Sequence, residues 1–369
     1  MSKVLCKILL IYFFLLPVSL FSQETKYQKP CLEDENSWTL IFLPDIQNYA
    51  KFGRNQPILD LMMSWIEENI DSLNIKMVLC PGDLVEQNDR ISHGISGNQS
   101  GQKQWEFVAQ SFSKLDGKVP YVLSTGNHDY SYDAQGNKRS RYKDFFPIDK
   151  NFLNRKIIRQ NTLNAEGEET TENAAFELMT PHGEKFLFLS LEFAPRDTVV
   201  TWAKNVVNMK QYKDHKIVLL THEYMTAKAK RTSGEMRVTC YNPYFENGDI
   251  TKRKQVIYDA NKGEDLWQKL INVSENIELV LCGHISGESF RADKNKAGKT
   301  VNQMLFNAQS MGGGHYGNGG DGWLRILEFF PDKKTVKVKT FSPLFAISPS
   351  TEQLAWKKDS ANEFTFFFD

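Results

Sequence analysis

Five times along the chain, an apolar run ends in a side chain that can bind a metal ion or carry a proton. These side chains are Asp45, Asp83, the triplet Asn127-His128-Asp129, His222 and His284. Carboxylate, amide and imidazole groups on rigid strand ends suit divalent transition metals. A single Gly-Asp pair or a lone histidine is more often an ordinary turn or a hydrogen-bonded group. Five such ends in succession indicate a metal centre instead.

The apolar runs before these side chains predict short buried strands. They cover residues 38–43, 77–80, 120–125, 216–221 and 277–282. Such continuous runs are typical of a sheet that is covered on both faces by other elements. A helical period over residues 57–71 joins the first two strands, so these are expected to be parallel, and the carboxylates of Asp45 and Asp83 then lie at the same edge of the sheet. Open α/β sheets bind their ligands at that edge.

The remaining pattern alternates helices and strands and then becomes β-rich. Helical periods cover residues 105–115, 200–212 and 263–272, whereas residues 130–173 are polar and are predicted to form an irregular insertion over the sheet edge. Two-residue alternation near the C-terminus predicts strands at 323–329, 336–341 and 363–368. No stretch has the composition of a linker, so residues 23–369 are predicted to form a single domain with a β-rich C-terminal portion.

Composition is that of an ordinary globular protein. The chain has 369 residues, of which 41% are hydrophobic and 24% charged, and its 45 basic and 45 acidic side chains cancel. A zero net charge argues against a surface that coats nucleic acid, so a small-molecule partner is expected.

The N-terminus has the features of a secretory signal peptide. Lys3 and Lys7 flank the start of an apolar run over residues 8–16, and Ser22 offers a small residue before polar sequence. The run is short for a membrane span, which needs about 20 residues. We expect cleavage after residue 22 and export to the periplasm, the cell surface or the medium; an uncleaved anchor is the alternative. Export would permit a disulfide between Cys31 and Cys240.

The motifs around these side chains resemble those of the calcineurin-like metallophosphoesterase superfamily, which carries D-x-H, G-D, G-N-H-D, a lone His after a strand, and G-H-x-H. Gly126-Asn127-His128-Asp129 is intact, and the resemblance runs from about Asp45 to Ser286. It implies an α/β fold, specifically a four-layer α/β/β/α sandwich. It also implies two divalent metal ions (Mn, Zn or Fe) at the strand ends.

The resemblance assigns a role to each ligand-type side chain. Asp83 would bridge the two ions. Asn127, His222 and His284 would complete one site with it, and Asp45 would belong to the other.

The same resemblance implies the reaction. His128 would be the general acid, oriented by Asp129, and a metal-bound hydroxide would attack phosphorus in line. The chain would therefore be an exported, metal-dependent hydrolase of a phosphomonoester or phosphodiester.

Two positions depart from the family pattern. Gln47 stands where the first motif has His, and Ser286 stands where the last motif has its second His. Both missing imidazoles would have been ligands of the metal site that contains Asp45. In this chain the amide oxygen of Gln47 is the remaining candidate ligand there, so this site is expected to bind its ion weakly. The first motif of this chain, D-x-Q, resembles that of an exported group within the superfamily. The run over residues 302–309 also resembles that group.

These departures keep a second hypothesis open. A degenerate, single-metal member would bind a phosphate or a glycan without turnover. Two further histidines are candidates for substrate binding under either hypothesis: His93, in the polar loop after Asp83, and His315, in a glycine-rich loop.

Overall fold

The computed structural model describes residues 27–89, 97–132, 137–236, 256–257 and 259–369. The predicted signal peptide, His93 and Cys240 lie outside these ranges. Cleavage after residue 22, a role for His93 and the Cys31–Cys240 bridge therefore stay predictions.

The strands alternate with helices in the first two thirds of the chain and follow one another in the last third. In the described residues they are β1 (Trp38–Phe42), β2 (Ile75–Cys80), β3 (Tyr121–Leu123), β4 (Ser131–Tyr132), β5 (Lys138–Arg139), β6 (Ile158–Leu163), β7 (Glu169–Met179), β8 (Lys185–Ser190), β9 (Lys216–Leu220), β10 (Ile277–Cys282), β11 (Gly287–Lys294), β12 (Thr300–Asn307), β13 (Leu324–Phe329), β14 (Thr335–Phe341), β15 (Trp356–Lys357) and β16 (Phe364–Phe367).

The described helices are α1 (Gln47–Ala50), α2 (Gln56–Glu68), α3 (Gly101–Ser113), α4 (Tyr142–Phe145), α5 (Phe152–Ile157), α6 (Asp197–Val207), α7 (Gly263–Leu266) and α8 (Pro343–Ala346). A π-helical turn, Trp267–Ile271, continues α7. Local sequence explains the two long helices near the site. Leu59, Met62, Met63 and Ile66 place one apolar face of α2 in the core, and α3 begins after Ser100, whose hydroxyl accepts the Lys103 N–H.

Two seven-stranded sheets carry the fold. Sheet A has the order β15-β14-β13-β1-β2-β3, with β16 also paired to β14. Its strands β1, β2 and β3 are parallel, and β13 runs antiparallel to β1. Sheet B has the order β11-β12-β10-β9-β8-β7-β6, and its strands β8, β9, β10 and β12 are parallel. The two parallel sets bring the polar strand ends together.

Side chains that alternate along each strand pack into different cores. Leu40 and Phe42 of β1 face a core shared by the two sheets, whereas Ile41 faces the core that contains α2 and α3. Within the shared core, Trp38 stacks on its cross-strand neighbour Phe329 at a centroid distance of 4.1 Å, and it meets Phe186 of sheet B edge-on at 5.5 Å. The other face of sheet B packs on α6 and on the π-helical turn. Burial on both faces explains why these strands are apolar throughout.

The prediction of an α/β fold is confirmed. The prediction of an irregular insertion over residues 130–173 is wrong, because β6 and the first part of β7 fall within it and extend sheet B. Strand β6 is partly exposed along its whole length and forms an edge of the sheet, so its polar sequence hides its structure. No helix in the described ranges is long and apolar enough to cross a bilayer.

Candidate metal centre and active site

The ligand-type side chains lie where strands of both sheets end. Asp45 and Asp83 follow β1 and β2 of sheet A, and Asn127 lies in a 3₁₀ turn, Asn127–Asp129, after β3. His222 and His284 follow β9 and β10 of sheet B. All five are buried or nearly so.

One compact cluster joins Asp83, His222 and His284, whose ligand atoms lie within 4.8 Å of one another. His222 Nε2 is 3.3 Å from Asp83 Oδ1 and 3.3 Å from His284 Nδ1. It is also 3.2 Å from Asn127 Oδ1. On the other side of the ring, His222 Nδ1 is 3.1 Å from the Pro81 carbonyl oxygen. That contact fixes the ring so that Nε2 faces the cluster.

Asp45 lies beside this cluster and is held by sheet B. Its Oδ2 accepts the backbone N–H of His284 at 2.9 Å and the side-chain amide of Asn307 at 2.7 Å. The Asp45 carboxylate therefore links β1 to the ends of β10 and β12.

Two glycines leave room for the carboxylates. A Cβ on Gly126 would lie 2.1 Å from Asp83 Oδ1, and a Cβ on Gly283 would lie 2.0 Å from Asp45 Oδ1. Asp83 and His284 also adopt left-handed backbone conformations, with φ of 51° and 68°. Such strained non-glycine residues concentrate at functional sites.

Burial and mutual charge shift the pKa values of these groups. Burial raises the pKa of Asp45 to about 8, and the neighbouring Asp83 adds to that rise. Burial opposes ionisation of His222, but the Asp83 and Asp45 carboxylates outweigh it and raise its pKa to about 9. Burial and the charge of His222 lower the pKa of His284 to about 3. The protein thus balances crowded carboxylates with a proton on an imidazole, and a divalent cation would displace that proton.

The residues present fit a divalent metal ion at this cluster. It offers two imidazoles, a bridging-type carboxylate and the amide oxygen of Asn127, a set suited to Mn, Fe or Zn. In addition, Asp45 Oδ1 and Gln47 Oε1 are buried and have no hydrogen-bond partner among the described residues. Unsatisfied buried acceptors are costly, and a cation would satisfy them.

His128 borders the cluster and is oriented by Glu86. Its backbone N–H donates to Asp83 Oδ1 at 3.0 Å, and its ring Nδ1 lies 2.8 Å from the Glu86 carbonyl oxygen. The Glu86 carboxylate is 4.0 Å from the same nitrogen. Burial alone would lower the pKa of His128, but the negative charges of Asp83 and Glu86 and the contact with the Glu86 carbonyl outweigh burial and raise it.

The prediction that Asp129 orients His128 is wrong. The Asp129 carboxylate accepts the backbone N–H groups of Val85 and Gly126, at 3.0 and 2.7 Å. Because Asn127–Asp129 is a tight 3₁₀ turn, the Asp129 side chain folds back under it and ties the turn to the loop after β2. Asp129 therefore shapes the backbone around Asp83.

At the two departing positions, amides and hydroxyls replace imidazoles. Gln47 Nε2 donates to Asp83 Oδ2 at 2.9 Å and also contacts the Gln309 side chain. Ser286 lines a cavity beside it. Gln47 thus lies next to the Asp83 carboxylate, where a metal ligand would lie. Its amide oxygen, which has no partner among the described residues, is a weaker ligand for borderline metals than an imidazole nitrogen.

His315 reaches the same place from the glycine-rich loop. Both of its ring nitrogens lie near Lys51 Nζ, at 2.9 and 3.1 Å, and its Nε2 is 3.7 Å from Glu86. Lys51 is itself fully buried and lies 3.6 Å from the Glu86 carboxylate. The structure therefore brings His315 to the site, next to His128.

The sequence prediction missed several residues that the site contains. Glu86 follows Asp83 by three positions in the same loop, Asn307 is the last residue of the buried strand β12, and Gln309 follows that strand. The rule that identified the other positions, a polar group where a buried strand ends, would have found Asn307. No sequence signal distinguishes Lys51.

Comparison with known proteins now decides the family. The family model described as calcineurin-like phosphoesterase matches residues 39–288, a range that contains all the ligand-type side chains above. The chain belongs to the calcineurin-like phosphoesterase family.

Two individual proteins are similar to this chain. The uncharacterised protein YvnB of Bacillus subtilis (strain 168) is 25% identical over 317 residues, which are 84% of this chain and 20% of YvnB. The chain thus spans about a fifth of that relative. The structure of GAP50, the anchor in the inner membrane complex of Plasmodium, superposes with a TM-score of 0.42 at 11% identity, covering 89% of this chain and 91% of that one.

Proposed function

We propose that this protein hydrolyses a phosphomonoester or a phosphodiester, with His128 as general acid and with divalent ions held by the strand-end cluster. The observation that carries the proposal is the convergence of Asp83, His222 and His284 within 4.8 Å, with His128 directly beside them. Both sheets contribute to that convergence, which a chance turn would not produce.

The chain's own residues account for the steps around phosphorus. Asp83, Asn127, His222 and His284 would hold one ion, and Asp45, Asp83 and Gln47 a second, weaker one. Bound divalent ions neutralise phosphate charge and lower the pKa of coordinated water. As the new P–O bond forms from water, the ester P–O bond breaks on the opposite side of phosphorus. The ring of His128 donates a proton to the leaving alcohol oxygen, and Glu86 keeps that ring in place. The attacking water gives up one proton to solvent, and the His128 ring regains one from solvent, so that water and ester become alcohol and phosphate.

A direct assay tests this proposal. The purified chain, supplied with Mn²⁺ or Zn²⁺, should hydrolyse an aryl phosphate or its diester. His128→Ala should lower kcat by at least about a hundredfold, the usual contribution of a general acid. Asn127→Ala removes a metal-ligand oxygen and should lower activity by about ten- to a hundredfold. No turnover of any phosphate ester across a metal series would refute the proposal.

A ligand-binding protein without turnover is the second candidate, and Gln47 and Ser286 favour it. Metal content discriminates between the two. Two ions per chain, counted by anomalous scattering, support the hydrolase, whereas one or none supports the binding protein.

We also propose export with removal of residues 1–22, on the basis of the basic and apolar leader. N-terminal sequencing of the mature protein from the producing cell tests this. An N-terminus at Met1 would contradict it.

A further inference from the structure

A buried carboxylate lies behind the metal cluster, at the ring nitrogen of His284 that faces away from the ligand atoms. Glu223 is 7% exposed, and its Oε2 is 3.8 Å from His284 Nε2. The other ring nitrogen of His284, Nδ1, lies 3.3 Å from His222 Nε2 within the cluster. Among the described residues, the group of mutually close ligand atoms does not include Glu223. Its carboxylate is therefore a neighbour of a ligand and is not a ligand itself.

The pairing of two strands brings Glu223 to this place. Strands β9 and β10 are parallel neighbours in sheet B. Beyond their ends the backbone stays joined, because the Gly283 N–H donates to the His222 carbonyl oxygen at 3.0 Å. The residue directly after His222 consequently lies beside the ring of His284. In the sequence Glu223 is next to one candidate ligand, and the fold makes it a neighbour of the other.

The other carboxylate oxygen of Glu223 is paired with a lysine. Lys262 Nζ is 3.3 Å from Glu223 Oε1, and the Lys262 side chain is 16% exposed. Lys262 directly precedes α7, which packs closely on the loop after β9. A Cβ on Gly263 would lie 1.8 Å from the Tyr224 carbonyl oxygen, so this approach requires glycine. The start of α7 thus compensates the charge of Glu223 while Oε2 stays beside His284.

Each imidazole of the cluster has an oxygen atom near its second nitrogen. For His222 this atom is the Pro81 carbonyl oxygen, 3.1 Å from Nδ1, and for His284 it is Glu223 Oε2. Histidines that bind a metal ion nearly always donate their other ring N–H to a carboxylate, a carbonyl or water, which orients the ring and makes the ligating nitrogen more basic. The Glu223 contact is longer than a hydrogen bond, and a movement of about 1 Å by either side chain would close it.

We propose that Glu223 is a positioning residue of the metal centre. Its carboxylate accepts the Nε2 proton of His284, so that Nδ1 keeps a free electron pair for the ion. Its negative charge also strengthens the bond between that nitrogen and a cation. The inference rests on the metal centre in the proposed function and adds a residue that acts through His284.

The metal affinity of variants tests this role. The purified protein is freed of metal with a chelator, and its Kd for Zn²⁺ is measured by competition with a chromogenic chelator. Glu223→Ala should raise the Kd by about ten- to a hundredfold, the usual effect of losing such a partner. Glu223→Gln keeps the side-chain volume and removes only the charge, so it serves if Glu223→Ala does not fold. It should raise the Kd by about tenfold.

Two controls separate this role from a general effect on the fold. Lys262→Gln removes the ammonium but leaves the carboxylate beside His284, so the Kd for Zn²⁺ should not rise. Glu184 pairs with Lys216 at 2.8 Å, at the opposite end of β9, and Glu184→Gln should leave the Kd unchanged. A rise in either control equal to that in Glu223→Gln would show a merely structural effect and would overturn the inference.

A double-mutant cycle identifies the side chain through which Glu223 acts. In protein that already carries His284→Ala, the further change Glu223→Gln should leave the Kd for Zn²⁺ unchanged, because the ring that Glu223 orients is gone. If the two changes instead multiply their effects on the Kd, Glu223 acts elsewhere and the inference is wrong.

The proposed function and this inference can fail separately. A natural protein that binds no Zn²⁺ would remove the metal centre and the inference together. The same Kd for Zn²⁺ in the natural protein, in Glu223→Gln and in Glu223→Ala would remove only the role of Glu223.

Discussion

At the scale of single residues, Gly126 leaves the space in which the Asp83 carboxylate lies. Because an added Cβ would come within 2.1 Å of Asp83 Oδ1, Gly126→Ala must displace that carboxylate from the cluster. We expect bound metal after dialysis, measured by mass spectrometry, to fall at least about tenfold, in the range seen when groups that position a ligand are lost. Gly53→Ala is the control, since its Cβ would meet only the end of the flexible Gln99 side chain. Full metal content in Gly126→Ala would show that Asp83 is not a ligand.

Lys51 and Glu86 form a buried ion pair that supports the wall beside His128. Lys51→Met would leave the Glu86 carboxylate buried without its cation, which typically costs about 3–5 kcal/mol. We expect a loss of that order in the free energy of unfolding by urea. The double variant Lys51→Met/Glu86→Gln should recover part of it.

An exposed ion pair is the matched control for that variant. Lys103 and Glu106 pair on the surface of α3, with side chains that are 66% and 45% exposed. Lys103→Met should therefore change the free energy of unfolding by less than about 1 kcal/mol. Equal losses for Lys51→Met and Lys103→Met would contradict the importance of the buried pair.

At the scale of elements, the strand ends could be predicted because burial on both faces leaves a plain sequence signal. Continuous apolar runs predicted β1, β2, β9 and β10, and each of these strands is followed by one of the ligand-type side chains. The roles of neighbouring side chains could not be predicted. Whether Asp129 or Glu86 contacts the His128 ring depends on the backbone path of a 3₁₀ turn. Residue types alone do not predict that path.

The edge strands of sheet B could not be predicted from the sequence for a related reason. Strands β6 and β11 lie at opposite ends of that sheet, and both are only partly buried. Edge strands carry polar and charged residues, which guard them against pairing with other chains. Their sequences therefore resemble those of loops. These strands are identified by their backbone pairing in the structure, because they have no apolar periodicity.

Strand β10 also carries a half-buried acid, Glu278, that makes stability depend on pH. Burial raises its pKa to about 7, and its Oε2 has no hydrogen-bond partner among the described residues. Between the ordinary value of about 4.3 and pH 7, the folded state binds a proton that the unfolded state has released. The stabilising contribution of this group is thus complete below that window and is lost as pH rises through it.

Glu278→Gln tests that dependence, because the amide cannot ionise. The variant should be more stable than the natural protein at pH 8, by about 1–2 kcal/mol after allowance for partial exposure, and its stability should fall less between pH 5 and pH 8. Urea unfolding across that range measures the effect. Glu68→Gln, at the exposed end of α2, is the control. Parallel pH profiles for Glu278→Gln and the natural protein would rule the assignment out.

At the scale of the whole molecule, the metal centre joins the two sheets. Asp45, Asp83 and Asn127 come from sheet A, whereas His222 and His284 come from sheet B. Without an ion, contact across this edge depends on crowded carboxylates and imidazoles whose charges must be balanced by protons. An ion with ligands from both sheets would be bound only in the native state, because unfolding separates those ligands. Metal binding and global stability should therefore be linked.

The chelator-treated protein should accordingly unfold at a lower temperature than the same protein with Mn²⁺. At an ion concentration of about 100 times Kd the gain is about 2.7 kcal/mol. That gain corresponds to a rise of about 3–4 °C in Tm for a chain of this length. His284→Ala should lose most of the rise because it removes one of the two imidazoles that sheet B contributes to the cluster. His182→Ala, in the β7–β8 turn, should keep it. A Tm that does not respond to Mn²⁺, in protein shown to have bound the ion, would mean that the unfolded chain binds the ion equally well, so that the site does not depend on the folded arrangement of the two sheets.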